Sequence, residues 1–245
     1  MTTVIFTAFT VTVPHAVIAH RGYSALYPEN TLLAIRSAVD SGANGIEIDI
    51  HLTQDHQIIL QHDETLDRMT NGSGRVDQHP WHGHIDGLKT KGSDSAEHVA
   101  LLKDVLDYLL TTAVPSGFIV VLDVKDDQSL QILNELKILL DTLPNYSERL
   151  RIYLGVWRED FAHHARSLFH KNLLLTLIAE SCTQNDLQFY DAFNLDVDQV
   201  TEDVVRAARQ QGKDVLLWTC NSVHQIAKAK QLQVQGILTD DPLSI

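Results

Sequence analysis

The sequence has few cysteines, and it contains no long apolar run. Only Cys182 and Cys220 are cysteines among its 245 residues, and they form no C-x-x-C pair. So few cysteines in a chain of this length exclude a disulfide-stapled fold, and we expect two buried, reduced thiols. No stretch reaches the roughly 18 apolar residues of a membrane span. We therefore expect a globular chain in a reducing, cytoplasmic compartment, with peripheral membrane contact left open.

Positive charge is also scarce. The chain carries 19 Lys and Arg against 32 Asp and Glu, a formal net charge of −13. This sign excludes nucleic acid as a partner and disfavours electrostatic docking on anionic membranes. Residues 1–14 are apolar and β-branched but lack the basic start of a signal peptide. We predict that they form a short strand or arm that closes one end of the fold.

What the sequence does contain is a regular alternation of short apolar runs and helical patterns. Each run is rich in Val, Ile and Leu and is followed by a polar turn. Strands of this type, alternating with helices, predict a parallel sheet covered on both faces. Eight such units predict a (β/α)₈, or TIM, barrel that forms a single domain over residues 1–245. The runs are 16–20, 45–50, 118–124, 151–156, 173–178, 191–196, 214–219 and 236–240.

Helices and one irregular segment complete this pattern. Apolar residues at helical spacing predict helices over 31–41, 128–142 and 201–211. After the second run, residues 53–56 predict a tight turn and residues 57–62 a returning strand. The polar, glycine-containing segment 63–97 then reads as an insertion on one rim of the barrel, too poor in apolar residues to form its own core.

Charged and aromatic residues collect where the predicted strands end. In a parallel barrel these carboxyl ends form the face that carries the active site. Charged groups beside apolar strands are costly unless they are paired or bound to a metal. The sequence thus predicts a functional site at this face, from the residues His20, Arg21, Glu47, Asp49, Asp123, Lys125, Trp218 and Asp240.

Three of these residues are candidate metal ligands. Glu47 and Asp49 are two positions apart on a strand, so that their side chains share one face, and Asp123 ends the next parallel strand. Three converging carboxylates repel one another unless a cation lies between them, and oxygen ligands favour Mg²⁺ or Ca²⁺. The alternative is that each acid forms an ion pair with Arg21 or Lys125.

Two histidines are candidate acid–base groups. A hairpin centred between Gln54 and Asp55 would place His62 opposite Glu47 and bring it toward His20. Two imidazoles at one site can supply a general acid and a general base. The histidines of segment 79–84 are interpreted as surface residues.

The remaining candidates suit an anionic ester. Arg21 offers a planar fork of donors and Lys125 a point charge, and both can bind a phosphate. Trp218 is either a flat wall for a glycerol skeleton or ordinary barrel core. Glu29 can orient Arg21, and Asn30 or Thr31 can cap the following helix. Together these residues predict a phosphate ester site.

The chain resembles the glycerophosphodiester phosphodiesterase family. The resemblance implies a (β/α)₈ barrel with a small insertion after the second strand. It also implies that His20 and His62 form the acid–base pair and that Glu47, Asp49 and Asp123 bind one divalent cation, Mg²⁺ or Ca²⁺. By the same resemblance, Arg21 and Lys125 bind the phosphate, and Trp218 lines the glycerol pocket. The implied reaction is hydrolysis of a glycerophosphodiester to sn-glycerol 3-phosphate and an alcohol. The matching segments are HRGYSALYPENT (20–31), EIDIHLTQDHQIILQHDETLDRMTNGSG (47–74), LDVK (122–125), WTCN (218–221) and GILTDDP (236–242).

The sequence departs from the family pattern at one ligand, and this departure keeps one other activity open. Many members have Glu where this chain has Asp123. The variant L-D-x-K is similar to fungal members that act as phospholipase C on phosphatidylglycerol, so that activity is the alternative. A non-catalytic barrel that binds a phosphodiester is the alternative of a different class. The oligomeric state is not predicted.

Overall fold

The computed structural model describes residues 15–92, 97–143, 145–169 and 173–245. The arm predicted over residues 1–14 lies outside these ranges. Within them, strands and helices alternate as the apolar runs predicted, and three short 3₁₀ turns cover Val76–Gln78, Ile85–Gly87 and Pro242–Ser244. No helix of the described residues is long and apolar enough to cross a membrane.

The strands of the described residues are β1 (Ala16–His20), β2 (Gly45–Leu52), β3 (Ile58–Leu60), β4 (Phe118–Val124), β5 (Leu150–Val156), β6 (Leu174–Ala179), β7 (Ala192–Asp196), β8 (Asp214–Trp218) and β9 (Gly236–Thr239). The helices are α1 (Leu32–Asp40), α2 (Leu102–Thr111), α3 (Gln131–Thr142), α4 (Tyr146–Arg149), α5 (Glu159–Leu168), α6 (Gln184–Phe189), α7 (Glu202–Gln210) and α8 (Val223–Leu232).

Eight of these strands form a closed parallel barrel, which confirms the predicted fold class. The order around the barrel is β1-β9-β8-β7-β6-β5-β4-β2, and β1 also pairs with β2. Strand β3 is antiparallel to β2 and pairs with its last three residues. Those residues extend beyond the β1 ladder, which ends where His20 pairs with Glu47. The hairpin therefore rises above the carboxyl-terminal rim of the barrel.

Alternation along each strand divides the core into an inner and an outer layer. Residues of one parity point into the barrel, and those of the other parity pack against the helices. Gly155 faces inward on β5, where an added Cβ would lie 2.5 Å from Cδ1 of Ile178. The missing side chain therefore leaves room for Ile178. The buried inner cluster contains Ile18, Val121, Tyr153, Ala192, Leu216 and Leu238.

The predicted helices form, with one shifted boundary. Helix α1 is capped by Thr31, whose hydroxyl accepts from the Ala34 N–H, and not by Asn30. Helix α3 begins three residues later than predicted. Gln128 stays outside it because its side-chain oxygen accepts a hydrogen bond from the Leu52 backbone N–H at 2.8 Å.

The insertion packs on the barrel through a small buried cluster that it shares with residues outside segment 63–97. This cluster combines Leu66, Val76 and Ile85 with Ile59 of β3 and Val99. The sequence does not predict this cluster, because its apolar residues follow no helical or strand period, as expected when turns and 3₁₀ turns position them.

The prediction for the thiols is correct for one cysteine and wrong for the other. Cys220 is fully buried, and its Sγ lies 3.7 Å from the Leu217 carbonyl oxygen. Cys182 is half-buried because it lies in the exposed loop between β6 and α6. Both thiols are free.

Candidate active site

The hairpin that delivers His62 has a different register from the predicted one. Its observed pairs include His51 with Ile59, so the turn centres on Asp55 and Glu47 is not opposite His62. The turn is one residue longer because the Thr53 N–H donates to the Gln57 carbonyl and His56 adopts a positive φ of 62°.

His62 nevertheless reaches the site. The ladder of β3 ends at Leu60. His62 lies beyond this ladder, so the alternation along β3 does not set the direction of its side chain. The side chain lines a cavity of about 150 Å³ at the carboxyl-terminal face of the barrel. That cavity is lined by His20, Arg21, Glu47, His62, Asp123, Lys125, Trp157, Ile178, Asn194, Trp218, Thr219 and Leu238.

The predicted site residues surround this small cavity, although the protein also has a larger cleft. The cleft, of about 590 Å³, lies between α5 and α6, and none of the predicted site residues is among those that line it. Every predicted site residue except Asp49 and Asp240 lines the small cavity, and Asp240 binds the lining residue His20. Asp49 lies directly beside it, because one of its carboxylate oxygens is within 4.8 Å of oxygens of both Glu47 and Asp123.

The structure brings the three predicted carboxylates together. Glu47, Asp49 and Asp123 are 3%, 1% and 5% exposed, and one oxygen of each lies within 4.8 Å of the others. Glu47 and Asp49 share the inner face of β2, and Asp49 pairs with Asp123 in the β2–β4 ladder. Parallel pairing therefore places three negative charges in one buried layer.

Two cations neutralise part of this charge, which agrees with the ion-pair alternative for Asp49 and Asp123 but not for Glu47. Lys125 Nζ lies 2.6 Å from Asp49 Oδ1 and 2.6 Å from Asp123 Oδ2. Arg21 Nε lies 3.3 Å from Asp49 Oδ2. Glu47 instead accepts the Arg21 backbone N–H at 3.1 Å, and its ion-pair contact among the described residues is with His20 at 3.9 Å. One carboxylate thus remains without a Lys or Arg side chain.

The pKa values of the acids reflect this shortage of positive charge. Burial, together with the neighbouring Asp49 charge, raises the pKa of Glu47 to about 7. Burial also raises the pKa of Asp123, in spite of Lys125. For Asp49 the effect of burial is outweighed by Lys125 and Arg21, which hold its pKa well below the usual range.

The residues present fit a divalent metal ion. The donors are all carboxylate oxygens, which suit a hard cation, and they carry more negative charge than Lys125 and Arg21 neutralise. Asp49 Oδ1 is buried and makes no hydrogen bond of good geometry among the described residues, although Lys125 lies near it. The triad of Glu47, Asp49 and Asp123 can therefore hold a divalent ion.

Each candidate acid–base histidine forms a hydrogen bond between its Nδ1 atom and a carboxylate. His20 Nδ1 lies 2.6 Å from Asp240 Oδ1, and His62 Nδ1 lies 2.7 Å from Asp63 Oδ1. Burial lowers the pKa of His62, helped by the Lys125 and Arg21 charges. Burial opposes protonation of His20 as well, but Glu47 and Asp240 outweigh it and raise the pKa of His20.

A chain of ion pairs connects the insertion to the phosphate-binding candidate. Arg68 forms two hydrogen bonds to Asp63, at 2.6 and 2.8 Å, and two to Glu29, at 3.1 and 2.7 Å. Glu29 in turn accepts from Arg21 at 3.0 Å, as predicted. The insertion therefore helps to position both His62 and Arg21.

Trp218 fits both interpretations that the sequence left open. Its ring packs against the inner hydrophobic cluster and also lines the cavity. The indole Nε1 donates to the Asn194 backbone oxygen at 3.0 Å. Trp157 packs edge-to-face against it, with ring centroids 5.9 Å apart.

Sequence reasoning did not assign several residues to the site, among them Trp157, Asn30 and Asn194. Trp157 donates its indole N–H to Asp123 Oδ1 at 2.8 Å, and Asn30 donates its side-chain amide to Asp49 Oδ2 at 2.7 Å. Asn194 lines the cavity from β7. A signal existed for Trp157, which directly follows a strand end. Asn194 lies two residues before the end of β7, and Asn30 lies in a loop, so neither stands out in the pattern.

The chain matches the model of the glycerophosphoryl diester phosphodiesterase family over residues 20–244. The chain belongs to this family. The match begins at His20 and includes every residue of the site.

Members of the family from bacteria align with nearly the whole chain. It is 30% identical over 240 residues to a glycerophosphodiester phosphodiesterase of Bacillus altitudinis, covering 92% of this chain and 94% of the relative. A glycerophosphodiester phosphodiesterase of Caldanaerobacter subterraneus subsp. tengcongensis is 28% identical over 239 residues, with the same coverage.

Solved structures show the same fold. A phosphodiesterase of Oleispira antarctica, in complex with the product sn-glycerol-3-phosphate, superposes with a TM-score of 0.83 at 21% identity and 94% coverage of both chains. The sequence comparisons thus show the family, and the solved structure shows the same barrel fold.

Proposed function

We propose that this protein hydrolyses glycerophosphodiesters to sn-glycerol 3-phosphate and an alcohol. The observation that carries the proposal is the cavity in which two carboxylate-anchored histidines, His20 and His62, face a buried acidic triad. The names of the bacterial relatives support the reaction, and the product bound to the Oleispira antarctica enzyme supports the retained glycerol phosphate.

Arg21 and Lys125 bind the phosphodiester. Both line the cavity, and each is held by carboxylates that fix the position of its charge. Negative charge grows on the phosphate oxygens in the transition state, and preorganised cations stabilise it there more than in the ground state. The ion pair of Glu29 with Arg21 keeps the guanidinium oriented without consuming all its donors.

His20 and His62 move the protons. Because the Nδ1 atoms are hydrogen-bonded to Asp240 and Asp63, the Nε2 atom of each imidazole is available to the substrate. One histidine accepts the proton of the nucleophile, and the other donates a proton to the leaving oxygen. The nucleophile is water or the 2-hydroxyl of the glycerol, and phosphorus NMR of the reaction distinguishes them, since only the second route passes through a cyclic phosphate.

Glu47, Asp49 and Asp123 hold one divalent cation, which we propose to be Mg²⁺ or Ca²⁺. When bound, such an ion polarises a phosphate oxygen and offsets developing charge. Trp157 and Asn30, which donate to Asp123 and Asp49, orient these ligands.

The whole chain, residues 1–245, serves as one catalytic domain in this proposal, with insertion 63–97 completing the rim. Arg68 supports this role of the insertion because it links Asp63 to Glu29. A reducing, cytoplasmic location is supported by the two free thiols.

Phospholipase C action on phosphatidylglycerol is the second candidate, and one observation favours it. Leu26, Val223 and Leu243 are 65%, 86% and 68% exposed, and they lie in or beside the segments that follow β1, β8 and β9. These three strands are neighbours, so the apolar side chains occupy one sector of the catalytic rim. Such a sector suits contact with a lipid surface.

The test compares glycerophosphocholine with phosphatidylglycerol in mixed micelles, with Mg²⁺ and Ca²⁺ in turn. We expect faster release of sn-glycerol 3-phosphate from glycerophosphocholine. Faster turnover of phosphatidylglycerol would establish the second candidate. No hydrolysis of either substrate, together with saturable binding, would establish a non-catalytic phosphodiester-binding barrel and overturn the proposal.

A further inference from the structure

Asn194 presents an unused hydrogen-bonding group to the cavity. The residue lies on β7, is 3% exposed and lines the cavity. Its side-chain Oδ1 is buried and has no hydrogen-bond partner among the described residues. Leaving such an acceptor unpaired inside a protein is costly, so native structures retain one chiefly where a ligand or water completes it.

The surroundings hold the Asn194 backbone in place. The Trp218 indole donates to the Asn194 backbone oxygen at 3.0 Å, and Asn194 pairs with Ile178 in the β6–β7 ladder. Ile178, Trp218 and Leu238 supply apolar walls to the same cavity. Asn194 and Thr219 are therefore the polar residues in an otherwise apolar part of the site.

The cavity has two chemically different halves. The charged residues His20, Glu47 and Asp123 come from β1, β2 and β4, which are consecutive around the barrel. The Asn194 half comes from β6 to β9, on the remaining arc. A ligand whose phosphate occupies the charged half extends its carbon skeleton along the apolar half, toward the amide.

We propose that Asn194 binds the free terminal hydroxyl of the retained glycerol. This inference rests on the proposed function and specifies its substrate class. The hydroxyl donates to Oδ1, while the side-chain NH₂ can donate to the hydroxyl oxygen. The site then selects diesters in which the glycerol inside the cavity is unesterified.

Esterification of the terminal hydroxyl would remove this contact. Glycerol esterified at this position, as in a lysophospholipid, lacks the hydroxyl proton that Oδ1 accepts, so the site should disfavour it.

The experiment is a cycle of two enzymes and two substrates. Wild type and Asn194→Ala are assayed on glycerophosphocholine and on the analogue in which the terminal hydroxyl is replaced by hydrogen. We expect wild type to prefer glycerophosphocholine by about 10- to 100-fold in kcat/KM. Asn194→Ala is expected to hydrolyse both substrates at rates within about twofold of each other, at the level of wild type on the analogue.

Controls keep the result interpretable. Asn134→Ala, on the outer helix α3, is expected to keep the wild-type preference. Asn194→Ser, which retains a hydroxyl acceptor, is expected to recover part of the preference, and thermal unfolding checks that each variant folds. Full preference in Asn194→Ala, or no preference in wild type, would overturn the inference.

A separate readout distinguishes this inference from the proposed reaction. If wild type hydrolyses neither substrate, calorimetric binding of sn-glycerol 3-phosphate and its 1-deoxy analogue replaces turnover. A preference of wild type for sn-glycerol 3-phosphate that Asn194→Ala abolishes supports the hydroxyl contact even then. Equal binding of the two phosphates by wild type contradicts it.

Discussion

His20 Nδ1 lies 2.6 Å from Asp240 Oδ1, although the two residues are 220 positions apart in the sequence. The contact is possible because β1 and β9 are neighbours in the closed barrel, and both residues follow their strands to the same rim. Asp240 is itself held by the Asn221 side-chain amide, which donates to Oδ2 at 2.6 Å. The closure of the barrel thus fixes the orientation of the His20 ring.

This geometry predicts that Asp240 positions His20. Asp240→Asn can donate to Nδ1 and so favours the wrong tautomer of the imidazole. We expect kcat on glycerophosphocholine to fall by about 10²-fold or more while KM changes little, because the phosphate contacts are untouched. Steady-state kinetics measures kcat and KM separately.

Asp198→Asn is the matched control for Asp240, since Asp198 lies on the same rim and binds Gln225 rather than a histidine. It should keep the wild-type kcat. A drop in Asp240→Asn confined to KM would show that Asp240 acts on substrate binding instead.

A good leaving group separates the roles of the two histidines. His20→Ala and His62→Ala are each expected to lose about 10²- to 10⁴-fold on glycerophosphocholine, whose leaving alcohol needs a proton. The variant that lacks the general acid should regain most of its rate on a p-nitrophenyl diester of glycerol phosphate, because p-nitrophenolate leaves unprotonated. Equal losses on both substrates in both variants would contradict the assignment of an acid and a base.

Trp157 is expected to support the acidic triad. Trp157→Phe keeps the aromatic packing on Trp218 but removes the 2.8 Å hydrogen bond to Asp123 Oδ1. Loss of such a partner to a metal ligand weakens metal affinity by about 10- to 100-fold. Titration of activity with Mg²⁺ or Ca²⁺ measures this shift, and Trp81→Phe, in the insertion cluster, should leave the midpoint unchanged.

The Arg68 ion pairs predict a specific pH dependence of stability. Arg68 lowers the pKa of Asp63 to about 2, and the pKa of Glu29 is also lowered, by Arg68 and Arg21 against the effect of burial. Carboxyls with a depressed pKa contribute stability above their unfolded pKa of about 4 and lose it as the pH falls toward the folded value. The free energy of unfolding of wild type should therefore exceed that of Arg68→Met most above pH 5.

Urea unfolding between pH 7 and pH 3 measures this difference. The gap between wild type and Arg68→Met should narrow steadily below pH 4. Lys103→Met, which removes an exposed pair with Asp107 on α2, should show a small gap. A gap for Arg68→Met that stays constant down to pH 3 would contradict the ion-pair explanation.

The barrel and most of the site could be predicted because both follow from local patterns. Apolar runs such as 118–124 define strands, and residues such as Glu47 and Asp49 at strand ends must meet where parallel strands end. The structure brings all nine predicted site residues, His62 included, to that rim.

What the sequence did not predict depends on tertiary contacts. The hairpin register was wrong by one residue because the Thr53–Gln57 turn, with a positive φ at His56, cannot be distinguished from a shorter turn by composition. The contact of Trp157 with Asp123 arises between residues on different strand ends. The buried cluster shared by the insertion, Ile59 and Val99 was not predicted, because its apolar residues have no period.

The central claim is that a divalent ion held by Glu47, Asp49 and Asp123 is required for hydrolysis by the histidine pair. Its most direct test is the release of sn-glycerol 3-phosphate from glycerophosphocholine before and after exhaustive chelation. The account predicts a loss of at least about 100-fold, restored by adding Mg²⁺ or Ca²⁺ to wild type but not to Asp49→Asn. Undiminished release from the chelated wild-type protein would contradict it.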